Sequence, residues 1–261
     1  MKRFLRTRLL LFTVVAAGSA SAQTMLDQEQ RLIQIHSLLL DLPPVDEPGA
    51  CRAGQLSAGL ELVFVPPIDG TTGNKKQITA SDRTPVFPRP RIALGLPAPE
   101  SFRAFVGISY VPPVLVRNVS LNYFAGEAGI AWLPGTLRVG LGAHLLHAAS
   151  QSPVTDPVIR DTLNTTELGA ELSAGARFGW GALALTPYGG LGLVHLSGDF
   201  RVTSDGVTLS SQNTVPALHA GARLTFRDRW EAIAEAAYYP GRLIHPSVRL
   251  GYLFDLLPRT Q

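Results

Sequence analysis

Twelve ionisable residues are spread through alternating apolar and polar stretches: Glu61, Arg103, Glu127, Arg138, His144, Glu171, Arg177, His219, Arg223, Glu231, Glu235 and Arg249. Such a set could serve acid–base catalysis, a metal site or an ion-pair network. A serine hydrolase would need Ser, His and an acid brought together by the fold, and no Gly-x-Ser-x-Gly elbow occurs here. Asp82, Asp156, Asp161, Asp199 and Asp205 fall in polar links, and the chain has no Asp-x-His. His144 and His147, three apart, face opposite sides of a strand. His195, His219 and His245 are scattered, and Cys51 is the single cysteine. No catalytic residue, metal or cofactor is therefore expected. What remains is a network of charges withdrawn from water and neutralising one another.

The elements that must position these residues are strands. From about residue 55 the pattern has period two, which places one residue set on each face. Ten stretches follow it: 55–65, 87–96, 102–112, 121–133, 137–149, 166–179, 183–196, 215–226, 230–239 and 246–254. In 166–179, Leu168, Ala170, Leu172, Ala174, Ala176 and Phe178 oppose Glu167, Gly169, Glu171, Ser173, Gly175 and Arg177. The links at 97–101, 134–136, 180–182 and 227–229 are tight. Those at 66–86, 150–165 and 197–214 are long, 113–120 is intermediate and 240–245 is short.

Alternation alone also fits a soluble β-sandwich. Three features point to a membrane instead. The stretches run to about 10 residues, the length that crosses a bilayer at a tilt. Aromatic residues stand at both ends of the apolar faces: Phe102 with Tyr110, Phe124 with Trp132, Trp230 with Tyr238. Each pair is about 26 Å apart along a strand, which suits two girdles around an apolar band about 25 Å tall. Tight and longer links also alternate, as in transmembrane barrels.

Composition agrees. Of 261 residues 46% are hydrophobic and 16% charged, against about 25% charged in soluble domains. No run of 18 apolar residues follows the extreme N-terminus, so no transmembrane helix is expected. Residues 1–22 read as a signal peptide: basic Lys2, Arg3, Arg6 and Arg8, an apolar core at 9–17, and Ala20-Ser21-Ala22 before the cut. Without those four, 19 basic side chains remain against 20 acidic ones, net −1, and nothing argues for nucleic acid. Residues 23–54 form an N-terminal periplasmic segment. Asp27 caps a helix over 28–40 with Leu32, Ile33, His36 and Leu39 near one side, ended by Pro43-Pro44. A short surface helix is the expected placement and a plug in a lumen the alternative. Residues 69–76, in the first long link, read as a solvated Gly- and Asn-rich turn.

These features resemble the bacterial outer-membrane β-barrel superfamily. Residues 248–254 look like the C-terminal signal read by the barrel-assembly machinery, although a tail, residues 255–261, follows Phe254. The resemblance implies an all-β, closed, antiparallel up-and-down barrel of about ten strands over 55–254, preceded by a short helical or irregular segment. It implies the outer membrane, lipid and the assembly machinery as partners, and a monomer. Ten strands enclose little more than their own side chains, so a filled lumen is expected. The omptin proteases carry an Asp-Asp and an Asp-x-His pair at their rim, and this sequence lacks the second. The expected role is structural or surface-interacting through external loops, and non-enzymatic. A narrow channel or transporter for a small or apolar solute is the alternative, and a lipid- or peptide-modifying barrel the third.

Overall fold

The computed structural model describes residues 25–42, 49, 51–64, 86–116, 119–152, 158–204 and 206–256. The signal peptide, the turn at 69–76, Asp82, Asp156, Asp205 and the end of the C-terminal tail lie outside these residues.

Long alternating stretches leave backbone groups that only neighbouring strands can satisfy within lipid. Among the described residues the chain meets this demand with helix α1 (Met25–Leu38) and eleven strands. These are β1 (Gln55–Phe64), β2 (Val86–Leu96), β3 (Phe102–Val116), β4 (Val119–Trp132), β5 (Leu137–Ser152) and β6 (Asp161–Ala176). They continue with β7 (Phe178–Trp180), β8 (Leu183–Arg201), β9 (Thr208–Phe226), β10 (Trp230–Tyr239) and β11 (Leu243–Asp255). Each long strand pairs antiparallel with its neighbours. β1 pairs with β11, and β6 with β8, so the sheet closes. β7 keeps the register of β6 against β8, from Gly175↔Tyr188 to Phe178↔Leu185, and so continues β6 past Arg177. The result is a closed barrel of ten antiparallel strands without a free edge.

Two prolines in β2 fit this ladder. Pro88 and Pro90 pair with β1, whereas β2 meets β3 only from Arg91 to Leu96. Their missing N–H groups fall where the ladder to β3 has stopped. Opposite them β3 has a register shift between Val111 and Val114, at Pro112 and Pro113.

The tight links 97–101, 133–136 and 227–229 share one end of the barrel with the start of β1 and the end of β11. This is the turn end, and the other is the loop end. Near the turn end the outward residues are apolar and the inward ones polar. β8 turns out Leu183, Leu191 and Leu193 and turns in Thr186 and Tyr188. Toward the loop end the polarity of the two faces reverses. β8 then turns in Val194 and Leu196 and turns out His195, Asp199 and Arg201. β6 and β9 do the same, with Leu163 and Val215 inside and Asn164 and Gln212 outside.

This reversal corrects two expectations. Half of the link at 150–165 and most of that at 197–214 are ladder: β8 and β9 run for 19 residues each, roughly 60 Å along the strand. The apolar band is about 25 Å tall, so these strands continue well beyond it. Strand limits set where the outward apolar residues end had cut them short. The second correction concerns residues 23–54. The helix begins at Met25, so Asp27 lies in its first turn instead of capping it. It is not a surface helix either. Leu38 is fully buried against Val194, Leu196, Val215, Ala237 and Tyr239, all lumen-facing. Leu42 packs in a second cluster with Val111, Leu121, Tyr123, Ala125, Leu146 and Ala148. An apolar lining inside the barrel needs an apolar occupant, and residues 33–42 provide it.

Ala174 faces outward on β6, so Ala174→Arg tests the face assignment. Arg costs about 2–4 kcal/mol at a bilayer midplane. The wild type should give an SDS-resistant band that changes mobility on boiling, and the variant should lose much of it. Equal amounts of the unboiled form would refute the assignment.

Candidate functional site

The only large assembly of functional side chains among the described residues is the lumen, with residues 33–42 and Gly49 of the N-terminal segment inside it. Alternation on the strands turns these side chains inward, and small residues opposite make room. A Cβ on Gly142 would meet the Glu171 carboxylate at 2.5 Å, and one on Gly169 would strike the His144 ring.

The lower tier, toward the turn end, is ionic. Glu61 of β1 lies between Arg249 of β11 and Arg89 of β2 in the ladder. Arg89 grips Glu61 with two bonds, Nη2 to Oε1 at 2.5 Å and Nε to Oε2 at 3.0 Å. Arg91 grips Glu127 in the same way, with Nε at 2.7 Å from Oε1. Glu231 accepts from Ser57 at 2.7 Å, from Arg223 at 2.5 Å and from Arg249 at 2.9 Å. Glu61, Arg89, Arg91, Arg223, Glu231 and Arg249 are all buried. Paired forks of this kind are what buried carboxylates require.

The N-terminal segment is tied to the wall at three levels. At the loop end Arg31 donates to the Gly241 carbonyl at 3.3 Å, and Gln34 Nε2 donates to Ser211 Oγ at 2.9 Å. At the turn end the Gly49 carbonyl accepts from Arg103 at 2.9 Å and from Arg138 at 3.3 Å. Between them sits Asp41, 1% exposed. One carboxylate oxygen lies 3.0 Å from His144 Nε2, and the other accepts from the Tyr239 hydroxyl. Arg89 Nη1 donates to the Asp41 carbonyl at 2.8 Å and to Tyr123 Oη at 3.0 Å. One residue of the segment thus meets β2, β5 and β10 together, and through Arg89 it joins the ionic tier.

The expected lumen residues distribute as follows. Glu61, Arg138, His144, His219, Arg223, Glu231, Glu235 and Arg249 are buried inside. Arg103, Glu127 and Glu171 are half-buried on the same side. Arg177 stands at the turn-end mouth, 3.0 Å from Asp228. Phe102, Tyr110, Phe124, Trp132, Trp230 and Tyr238 all face outward and are exposed. The register sets Phe102 beside Trp132 at the turn end and Tyr110 beside Phe124 toward the loop end. Sequence reasoning placed Glu167 on the inward face of its strand but missed Asp41, Arg89, Arg91, Tyr123, Tyr239 and His245 as lumen residues, and all seven are buried. Arg89 and Arg91 stand two apart in a recognised strand, and that spacing could have placed them together.

Asp41 and His144 form an acid–imidazole pair, and both are buried in the lumen. Of the expected rim acids, Asp161 accepts from the Thr203 backbone N–H at 2.9 Å and Asp199 from Ser210 at 2.5 Å. His147 and His195 face outward beside Thr166 and Thr214. Among the described residues no group of three or more His, Cys, Asp and Glu is placed to hold a metal ion. The cavity at the turn-end mouth, lined by Arg52, Arg103, Arg177 and Asp228, has a volume of about 10 Å³, near the least that holds one water.

A closed ladder, an apolar outer belt and two aromatic levels make the architecture that of the bacterial outer-membrane β-barrels. No family model and no curated protein matches the chain. Solved structures similar to it include the translocator domain of the autotransporter NalP from Neisseria meningitidis. That one is 12% identical over 87% of this chain and 95% of its own, with a TM-score of 0.46. The β domain of the Bordetella autotransporter Brka is 13% identical over 77% and 98%, with a TM-score of 0.40. LpxR from Salmonella typhimurium is 10% identical over 76% and 100%, with a TM-score of 0.37.

Asp41→Ala removes the acceptor shared by His144 and Tyr239 and leaves both buried. Breaking a buried pair from one side costs about 3–5 kcal/mol. Tyr239→Phe, which removes one donor, should cost about 1–3 kcal/mol. Urea unfolding of the purified barrel should show the two midpoints falling in that order. An Asp41→Ala midpoint at the wild-type value would show that this contact holds nothing.

Proposed function

We propose that the chain is a non-enzymatic outer-membrane barrel sealed by its own N-terminal segment, with a structural or surface-contact role carried by its loop end. The observation that carries this reading is the occupied lumen: residues 33–42 fill the upper half, and Asp41 fixes them to three strands. A solute would have to displace the buried apolar side chains of Ile33, Ile35, Leu38 and Leu42 and a hydrogen-bonded carboxylate together. The turn end, where the barrel begins and ends, belongs in the periplasm, with lipid around the apolar belt. The barrel-assembly machinery is the partner in biogenesis, and the working unit is a monomer. The long hairpin of β8 and β9 then stands out from the cell, with His195, Asp199, Arg201 and Gln212 on its outer face.

One observation favours a second reading, a narrow channel. His245 and Ser247 are buried, and both His245 ring nitrogens and Ser247 Oγ lack a hydrogen-bond partner among the described residues. Groups of this kind normally hold water, and water inside a barrel is the start of a passage.

Planar-bilayer recording separates the two. The sealed barrel predicts no stable openings for the wild type and steady conductance after deletion of residues 25–42. Steady openings in the wild type would overturn the sealed reading and favour the channel.

A further inference from the structure

We propose that the outer wall at the turn end, across β9, β10, β11 and β1, holds one anionic phospholipid of the periplasmic leaflet. This rests on the reading that lipid surrounds the apolar belt. A groove of about 460 Å³ lies there, within the size range of small-molecule sites. Its floor is low because Ala58, Ala232 and the Gly251 backbone carry little side chain, while Phe226, Trp230 and Tyr252 stand around it. Trp230 meets Tyr252 edge-on with ring centroids 4.8 Å apart, which fixes one wall. The groove is apolar and faces away from the lumen, so it suits an acyl chain.

The charge at its mouth selects the headgroup. β9 turns into β10 through Arg227 and Asp228, both at positive φ (51° and 52°), closed by Arg229 N–H to the Phe226 carbonyl at 3.1 Å. This is the tight hairpin turn that glycine or asparagine normally occupies, here made from Arg and Asp. Asp228 turns toward the barrel mouth, to Arg177 at 3.0 Å and Arg52 at 3.6 Å. Arg227 lies over the Phe226 ring, 5.1 Å from its centroid, and Arg229 donates to Tyr252 Oη at 3.4 Å. Both arginines are exposed. Two guanidiniums thus rest on two of the groove's aromatic walls, on the outer side. Guanidinium is the side chain best matched to a phosphate, and the girdle level is where phospholipid phosphates stand.

Native mass spectrometry of the full-length detergent-solubilised protein tests this, with dioleoyl phosphatidylglycerol and dioleoyl phosphatidylcholine as probes. The wild type should retain one phosphatidylglycerol in preference to phosphatidylcholine. Arg227→Ala with Arg229→Ala should cut that preference by at least about fivefold for each arginine and leave phosphatidylcholine retention unchanged. Ala232→Phe, which raises the groove floor, should lose both adducts. Equal retention by all three proteins would overturn the proposal. A dimer abolished by Ala232→Phe would also overturn it and assign the groove to a second copy. The heat-dependent gel shift keeps the two readings apart. A wild type without it fails as a membrane barrel, whereas a normal shift without lipid preference fails this site alone.

Discussion

An apolar surface inside a barrel cannot be left to water, and the upper half of this lumen is apolar. Val194, Leu196 and Val215 point inward there and are almost fully buried. In a barrel of ten strands the interior is too narrow for a bilayer and too exposed at its mouth to stay dry. The cover is α1 and the turn after it, which bury Ile33, Leu38 and Leu42 against the wall. The polar contacts between the segment and the wall follow from that cover. The polar backbone of residues 40–41, the Asp41 carboxylate and the Gly49 carbonyl lie inside with that cover. Once inside, each polar group needs a partner. His144, Tyr239 and Arg89 meet Asp41, and Arg103 and Arg138 meet Gly49.

The lower tier obeys a different rule. Its carboxylates and guanidiniums belong to the wall, and each pair joins two different strands. Glu61, Arg89 and Arg249 share one level across three adjacent strands. Removing any one would strand its partners, whereas replacing a whole pair by apolar residues of equal volume would cost far less. The ionic tier is therefore better read as fixing the barrel's shape and tying it to the segment than as adding stability. Arg89 couples the two tiers, bound to Glu61 on one side and to the Asp41 carbonyl on the other.

Much of this was legible in the sequence. Period-two alternation located all ten long strands, and the faces of 166–179 match the outward and inward sides of β6. What was not legible came from one assumption, that the outer face is always the apolar one. At residues 193–196 of β8 the sequence reads Leu-Val-His-Leu, and the alternation slips by one position in polarity while the backbone runs on. Read with a lipid-facing rule, the strand ends there. Read as a reversal, it demands an apolar object inside the lumen, and Ile33, Ile35, Leu38, Leu39 and Leu42 supply one. Asp41 carried no local signal. A lone acid after Leu40 reads as solvent-exposed, and its three partners lie 48 to 198 residues away.

The placement of α1 inside the barrel is the claim on which the rest depends. A Cβ on Gly198 of β8 would stand 3.1 Å from Ser37 Oγ of α1, within reach of a disulfide, whose Cβ atoms lie about 3.5–4.5 Å apart. Ser37→Cys with Gly198→Cys, in a chain carrying Cys51→Ser, can be oxidised in isolated membranes and digested for peptide mass analysis. A plugged lumen predicts near-complete recovery of the peptides around residues 37 and 198 as one disulfide-linked species. Two free thiols in a barrel that still shows the heat-dependent gel shift would place α1 outside the lumen and contradict the account.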